Sequence, residues 1–140
     1  MGSLVCEAGQ IGIDYMAFGD LFLEDVRQYR EKQLRGTGIR PLFPIWKMPT
    51  YILTKQMLSS GVEAYISCVD LQKVPKTLVG RRWCESLIAE LPEGIDPCGE
   101  NSAFHTVVVG GPMFRDSITI HIDETVERDG FVFADIIPGD

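Results

Sequence analysis

A short segment near the end of the chain, residues 94–106, carries most of the groups that could do chemistry. It combines two carboxylates, a thiol, an amide and an imidazole: Asp96, Glu100, Cys98, Asn101 and His105. Carboxylates and imidazoles transfer protons, and a thiol can act as a nucleophile or a metal ligand. Because α/β proteins often place reactive side chains on a shaped loop at a strand end, this segment predicts a functional site.

The backbone of the segment also has a distinctive pattern. Pro97 restricts one backbone angle, whereas Gly94 and Gly99 permit unusual ones. A structural interpretation stands beside the functional one, since Asp-Pro and Cys-Gly are ordinary turn dipeptides. In that interpretation His105 is a half-buried ring at the start of a strand. The residues alone leave both interpretations open.

Composition excludes some classes of partner. The chain has 140 residues and a net charge of −7, which argues against a nucleic-acid backbone or an anionic membrane as its partner. No apolar run has membrane-spanning length, so we expect no membrane association. The length predicts one domain, or part of one.

The four cysteines predict free thiols rather than disulfides or a metal site. Cys6, Cys68, Cys84 and Cys98 form no CxxC pair, and we expect a reducing, cytoplasmic location. A zinc site made of Cys98, Glu100 and His105 would match no standard ligand spacing. We therefore expect no metal ligands in this chain.

The elements that must position the loop alternate between strands and helices. Short apolar runs at residues 15–18 and 39–46 alternate with helical patterns at 22–35 and 50–60, and a continuous apolar run follows at 62–69. Continuous hydrophobicity is typical of a strand covered on both faces. The pattern predicts an α/β fold with a parallel βαβαβ core.

The C-terminal third is rich in strand patterns. Apolar residues at 107–109, 118–122 and 131–133 predict strands, and Asp129-Gly130 is a hairpin-turn signal. We expect an antiparallel hairpin added to the sheet. The chain then divides into an α/β part-domain, residues 1–93, and the loop with a β-rich substrate region, residues 94–140, packed as one unit.

Three charged residues outside the loop are further site candidates. Asp20 and Asp70 both follow predicted strands, so we expect them at one carboxyl edge of the sheet, the usual ligand edge. Asp20 fits an N-cap of the next helix equally well. Arg81 lies in the densest positive charge of the chain, either as an anion clamp or on a surface turn.

Several segments together resemble a known family over about residues 11–135. They are Phe18-Gly19-Asp20, Pro41-Leu42-Phe43-Pro44-Ile45-Trp46, Ser67-Cys68-Val69-Asp70, Gly80-Arg81, Asp96-Pro97-Cys98-Gly99-Glu100-Asn101 and Phe104-His105-Thr106. The chain resembles the C-terminal part of the PP-loop ATP pyrophosphatases related to diphthine–ammonia ligase. The Asp-Pro-Cys-Gly-Glu-Asn loop is the most specific element, and the Asn and Phe-His variants resemble the bacterial branch.

The resemblance implies a fold, a reaction and a set of roles. The fold would be part of an adenine-nucleotide alpha-hydrolase-like domain. The reaction would be an ATP-dependent amide ligation, in which a carboxylate is adenylated, pyrophosphate leaves and ammonia attacks. Catalytic roles would fall to Cys98, Glu100 and His105. Substrate-binding roles would fall to Gly99, Asn101, Asp20 and Arg81.

Two departures from the family pattern leave two classes of function open. The family's Ser-Gly-Gly-x-Asp-Ser phosphate loop is absent from this sequence, so we expect neither ATP nor Mg²⁺ to bind this chain alone. Ser102 and Ala103 replace a Gly and a Glu of the family loop. The chain is then either the substrate-recognition half of a ligase or a non-catalytic binding or dimerisation module. Its expected partner is an N-terminal ATP-binding half or a second copy in a homo-oligomer.

Overall fold

The structure, a computed structural model, describes residues 2–139 of the chain. It has two compact units, one ending at Met48 and the other beginning at Pro49, and each unit contains its own sheet. The predicted division between residues 93 and 94 falls within the second unit and stays a prediction.

The first unit is built on a pair of parallel strands, each preceded by a helix. Its elements are α1 (Gly2–Gln10), β1 (Tyr15–Ala17), α2 (Glu24–Leu34) and β2 (Arg40–Leu42). The strands β1 and β2 pair in parallel, as predicted. Pro41 limits β2 because a proline has no N–H to donate to a ladder. Val5, Leu34 and Ile39 form the buried core of this unit.

The second unit is built on a four-stranded antiparallel sheet in the order β4-β3-β6-β5. Its elements are α3 (Thr50–Ser59), β3 (Glu63–Asp70), α4 (Glu85–Ala89), β4 (Phe104–Gly110), β5 (Ile120–Arg128) and β6 (Phe131–Pro138). The mixed α/β class with a β-rich C-terminal part is thereby confirmed. The predicted hairpin is confirmed as β5 and β6, joined by Asp129 and Gly130, which both have positive φ.

The pairing of β3 corrects one detail of the predicted core. Among residues 2–139, parallel pairing is limited to β1 and β2, whereas β3 lies between β4 and β6 and runs antiparallel to both. The burial of β3 alternates along its first part and becomes continuous only at Cys68, Val69 and Asp70. A bulge between Ile66 and Cys68 interrupts the alternation of β3 and makes the run more continuous. Asp20 therefore follows β1, whereas Asp70 is the last residue of β3 in a different sheet, which corrects the expectation of one common edge.

The two faces of this sheet differ in burial. Phe104, Val69 and Val132 form one cross-strand row, and all three belong to the buried core. Trp83 and Leu87 complete that core from outside the sheet. We call this side the core face. It positions the candidate loop, which lies between α4 and β4.

The adjacent cross-strand row points to the opposite side of the sheet, which we call the open face. It consists of His105, Cys68, Phe133 and Val126. Successive residues of a strand point to opposite faces, so this row cannot share the core face. Phe133 is 43 % exposed and Val126 is 44 % exposed, which shows that much of this face meets solvent.

The cysteines of the described residues are all free, in agreement with the predicted free thiols. None of the helices in residues 2–139 combines the length and apolar character needed to cross a membrane. The cytoplasmic location stays a prediction.

Candidate functional site

The candidate loop has two halves, residues 96–99 and the turn Glu100–Ser102. In the first half, the side chain of Asp96 closes a turn by bonding to the backbone. The Asp96 carboxylate accepts a hydrogen bond from the Cys98 N–H at 2.8 Å through Oδ1, and the Gly99 N–H donates to the Asp96 carbonyl at 3.0 Å. Such turns form where an Asp side chain can reach the backbone two residues further on. Oδ2 of the same carboxylate accepts from Thr50 Oγ1 at 2.5 Å. Asp96 therefore both closes the turn and attaches it to the start of α3.

The Cys98 thiol faces the same helix. Its Sγ lies 3.2 Å from Thr54 Oγ1 and 3.6 Å from the Thr50 carbonyl oxygen. Burial raises the pKa of the Cys98 thiol, and the charges of Asp96 and Glu100 add to the rise, while the Thr54 hydrogen bond opposes it. A raised pKa keeps the group as the neutral thiol at neutral pH, and a thiol is a weaker nucleophile than a thiolate. The geometry suits an anchor better than a nucleophile.

Gly99 and Trp83 close the packing beneath the turn. Gly99 has φ +78°, and a Cβ there would lie 2.6 Å from the Phe104 carbonyl oxygen and 2.9 Å from the Phe104 ring. The position therefore requires glycine on both conformational and steric grounds. The Trp83 indole N–H donates to the Pro97 carbonyl at 2.9 Å. The predicted substrate-binding Gly99 is thus a buried, close-packed backbone position.

The second half of the loop is a single 3-10 turn, Glu100–Ser102, in an unusual backbone conformation. Asn101 and Ser102 have φ values of +60° and +59°, and both are exposed. Lys73 Nζ donates to the Asn101 carbonyl at 2.7 Å. Left-handed conformations of non-glycine residues persist where the surroundings enforce them, often at functional sites.

Asp70 supports the second half from the end of β3. Its N–H donates to the Ala103 carbonyl at 3.0 Å, and its Oδ1 accepts from the Gln72 N–H at 2.9 Å. Its other carboxylate oxygen lies 3.3 Å from Lys73 Nζ. Asp70, the predicted edge residue, is only 8 % exposed. Its N–H and the Lys73 side chain contact the loop, and its carboxylate pairs with Lys73.

The structure does not bring His105 to the Cys98 side of the sheet. His105 lies on the open face, in the row with Cys68. A cavity of about 60 Å³ adjoins Cys98 and is lined also by Thr106 and Val108. Those two residues share the core face with Phe104, because strand side chains alternate. Direct cooperation between Cys98 and His105 within one chain is therefore not supported by the geometry.

Asp20 lies in the first unit and faces an arginine. Its Oδ2 is 3.5 Å from Arg30 Nε, and the Arg30 guanidinium lies over the Phe18 ring at 5.1 Å. The N-cap position of α2 is occupied by Leu23, with no side-chain cap. The N-cap interpretation of Asp20 is therefore wrong, and its role as a site carboxylate stays a prediction.

Arg81 is engaged by a carboxylate of its own chain. Two of its nitrogens contact both oxygens of Glu90 at 2.6 and 2.7 Å, and the hydrogen bonds hold the pKa of Glu90 below its usual value. This paired geometry is the one an Arg would use to bind a substrate carboxylate or phosphate. An incoming anion would have to displace Glu90, and the substrate role of Arg81 stays a prediction.

A larger cavity lies between α3 and α4, next to the loop residue Pro97. Its volume is about 280 Å³, which is close to the lower limit for small-molecule pockets. It is lined by Tyr51, Thr54, Lys55, Leu58, Glu85, Ile88, Ala89 and Pro97. Thr54, which contacts Cys98, and Pro97, which belongs to the anchored turn, thus both line this cavity.

Sequence patterns did not reveal three residues that hold the loop: Thr50, Thr54 and Lys73. Thr50 fits a cap of α3 by its residue type, but Pro49 occupies the cap position and the Thr50 hydroxyl bonds Asp96 instead. One signal was present, because threonines four apart lie on the same face of a helix. Among the described residues, no three His, Cys, Asp or Glu side chains lie close enough to hold a metal ion.

An α/β chain whose antiparallel sheet carries an anchored Asp-Pro-Cys-Gly-Glu-Asn loop matches one family model. The model is that of the diphthamide synthase C-terminal domain, and it matches residues 50–136. This is more than half of the chain and includes the loop with all of its anchors. The chain belongs to this family.

Curated relatives carry the name diphthine–ammonia ligase. The zebrafish Danio rerio protein is 26 % identical over 132 residues, which cover 91 % of this chain and 52 % of the relative. The Homo sapiens protein is 27 % identical over 120 residues, which cover 81 % of this chain and 45 % of the relative. The chain thus spans about half the length of the curated relatives it matches. The predicted resemblance to the bacterial branch of the family stays a prediction.

Proposed function

We propose that this chain is the substrate-recognition half of an ATP-dependent amide ligase similar to diphthine–ammonia ligase. The observation that carries the proposal is the anchored loop, which presents Glu100 and Asn101 next to a fixed turn within the matched residues 50–136. A preformed backbone lowers the cost of holding a substrate in a reactive geometry.

The proposed reaction joins ammonia to a carboxylate that ATP has activated. Ammonium carries no lone pair, so the nucleophile must be neutral ammonia and a proton must be removed. Glu100 is the candidate proton acceptor, and Asn101 and the Gly99 backbone are candidates for holding the acceptor substrate. Cys98 orients the loop in this proposal. His105, on the open face, would act only on a group that reaches that face.

ATP and Mg²⁺ enter the proposal from the family alone, and the residues of this chain do not fit them. The sequence lacks the Ser-Gly-Gly-x-Asp-Ser phosphate loop, and the part of the chain that the structure describes has no cluster of three metal-ligating side chains. We assign both to an N-terminal half or to a second copy of the chain. A calorimetric titration of the chain with Mg-ATP should then give a flat trace.

The test is reconstitution of the ligase. The chain is mixed with the N-terminal half of a family member, and conversion of ATP to AMP and pyrophosphate is measured with ammonium chloride present. Turnover is expected, and Glu100→Ala should abolish it. Glu93→Ala is the matched control, since Glu93 is an exposed carboxylate just before the loop. A folded, associated pair that makes no AMP would refute the proposal.

A second candidate is a non-catalytic ligand-binding or dimerisation module derived from this family. One observation favours it: Ala103 is only 2 % exposed, at a position where the family pattern has a Glu. A carboxylate of the family loop has thus been replaced by a core methyl group. The module predicts a stable fold, self-association in light scattering and no AMP formation with any partner.

A further inference from the structure

Two threonines of α3, Thr50 and Thr54, contact the candidate loop. Thr50 Oγ1 donates to Asp96 Oδ2, and Thr54 Oγ1 lies within hydrogen-bond distance of Cys98 Sγ. The two threonines are one helical turn apart, so their side chains lie one above the other on the same face of the helix. Asp96 and Cys98 are two apart in the loop, and the Asp96 turn brings their polar groups to one side.

These contacts span more than forty residues of sequence. Thr50 is 46 positions from Asp96, and Thr54 is 44 positions from Cys98. Neither hydroxyl is needed to cap α3, whose cap residue is Pro49. Thr54 is 4 % exposed, so removal of its hydroxyl would leave the half-buried thiol without that partner. The thiol would keep only its longer contact with the Thr50 carbonyl oxygen, so the attachment would be weaker and the loop would open more often.

We propose that Thr50 and Thr54 are positioning residues, which fix the candidate loop through Asp96 and Cys98 and so set the presentation of Glu100 and Asn101. The positioning itself rests on the geometry, whereas its catalytic consequence rests on the function proposed above. The helix α3 thereby fixes the conformation of the loop. Neither threonine is expected to contact substrate.

The test compares valine and serine variants of the full chain. Thr50→Val and Thr54→Val keep the shape of the side chain and remove the hydroxyl, and Thr50→Ser and Thr54→Ser keep the hydroxyl. Hydrogen exchange is followed by mass spectrometry on a peptide covering residues 94–104. The valine variants should accelerate exchange in this peptide by about three- to tenfold, as the loss of one net hydrogen bond implies, and the serine variants should restore wild-type exchange.

An internal control separates positioning from general stability. A peptide covering residues 120–138, in the β5–β6 hairpin, should exchange at the wild-type rate in all four variants. Unchanged exchange in residues 94–104 would overturn the proposal, and so would equal acceleration of both peptides. Where a valine variant fails to fold, Thr50→Ala or Thr54→Ala takes its place under the same criteria.

Reconstituted AMP formation then tests the catalytic consequence. The valine variants should lower turnover and the serine variants should rescue it. If the wild-type pair makes no AMP, the proposed ligase function fails while the exchange measurement still decides the positioning. If AMP forms equally well with the valine variants, the ligase stands and the positioning role in catalysis is refuted.

Discussion

The two halves of the candidate loop are built in different ways. Residues 96–99 are held by the Asp96 turn and by hydrogen bonds from Thr50 and Trp83. The turn Glu100–Ser102 instead contains two left-handed backbone positions and two exposed side chains. The first half is attached through the Asp96 side chain to α3, whereas the second half has exposed side chains and is held through its backbone by Lys73.

The first half of the loop is therefore a scaffold, and the second half carries the exposed side chains. A loop whose first half is fixed can hold its second half in a strained conformation, because the surrounding contacts offset the strain. The exposed side chains of Asn101 and Ser102 can then meet a ligand without a large ordering cost. Substitutions in the first half should therefore change stability, and substitutions in the second half should leave it unchanged or increase it.

The largest effect is expected at Gly99, where the two halves join. Gly99→Ala should lower the free energy of unfolding by about 2–4 kcal/mol, because a Cβ meets Phe104 and the positive φ adds strain. Gly94→Ala is the matched control, since Gly94 has φ +83° but nothing within 4 Å of the position that a Cβ would take, and it should cost only about 1 kcal/mol. Urea unfolding measures both. Equal losses at the two positions would contradict the packing argument.

A smaller loss is expected at Asp96. Asp96→Ala removes the acceptor of the Cys98 N–H and of the Thr50 hydroxyl, and it should cost about 1–3 kcal/mol. Asp96→Asn keeps one carbonyl oxygen for the turn and should cost about half as much. Thermal unfolding of both variants checks the order, and an alanine variant as stable as the wild type would show that the first half is not held by this side chain.

Local patterns were sufficient to predict much of the fold. The helices α2 and α3 follow from their apolar spacing and flanking glycines, and the β5–β6 hairpin follows from Asp129-Gly130. The pairing of β3 could not be predicted in the same way. Its continuous apolar run fits any inner strand, parallel or antiparallel, and the bulge after Ile66 is a tertiary feature.

The candidate site was predictable in its residue types but not in its anchors. The loop residues stand together in the sequence, whereas Thr50 and Thr54 lie more than forty positions away. Alternation along β4 already separates His105 from Thr106. The sequence does not show which of the two lies on the side of the sheet next to Cys98. That depends on how the loop packs against α3, and no local pattern encodes this packing.

The second half of the loop offers a stabilising substitution. Ser102→Gly should raise the free energy of unfolding by about 0.5–1 kcal/mol, because φ +59° strains a residue with a Cβ and glycine adopts it readily. The family pattern has a glycine at this position. Ser59→Gly, at the last residue of α3, is the control and should destabilise, because glycine is a poorer helix former than serine and the Ser59 hydroxyl donates to the Gln56 carbonyl. A loss of stability in Ser102→Gly would mean that the serine side chain, and not the backbone, determines this turn.

The smallest effect is the pH dependence of the anchored thiol. Burial raises the pKa of Cys98 above its ordinary value of 9.0, so the folded chain retains a proton that the unfolded chain releases. The contribution of the thiol to stability is then fully present below that value and is lost as the pH rises through the folded pKa. Wild type should lose more stability than Cys98→Ser between pH 8 and pH 10.

The pKa of Cys84 is shifted in the opposite direction to that of Cys98, so its contribution to stability has the opposite pH dependence. Its pKa is lowered, mainly by the hydrogen bond with Ser86, so its contribution to stability is lost as the pH falls through its folded pKa. Iodoacetamide at pH 8 should therefore alkylate Cys84 before Cys98, and Cys84→Ser should make the loss of stability at high pH steeper. Equal alkylation rates, or parallel stability curves for wild type and Cys98→Ser, would show that the thiol is not held in the anchored half. The comparison between the two halves would then rest on Asp96 and Gly99 alone.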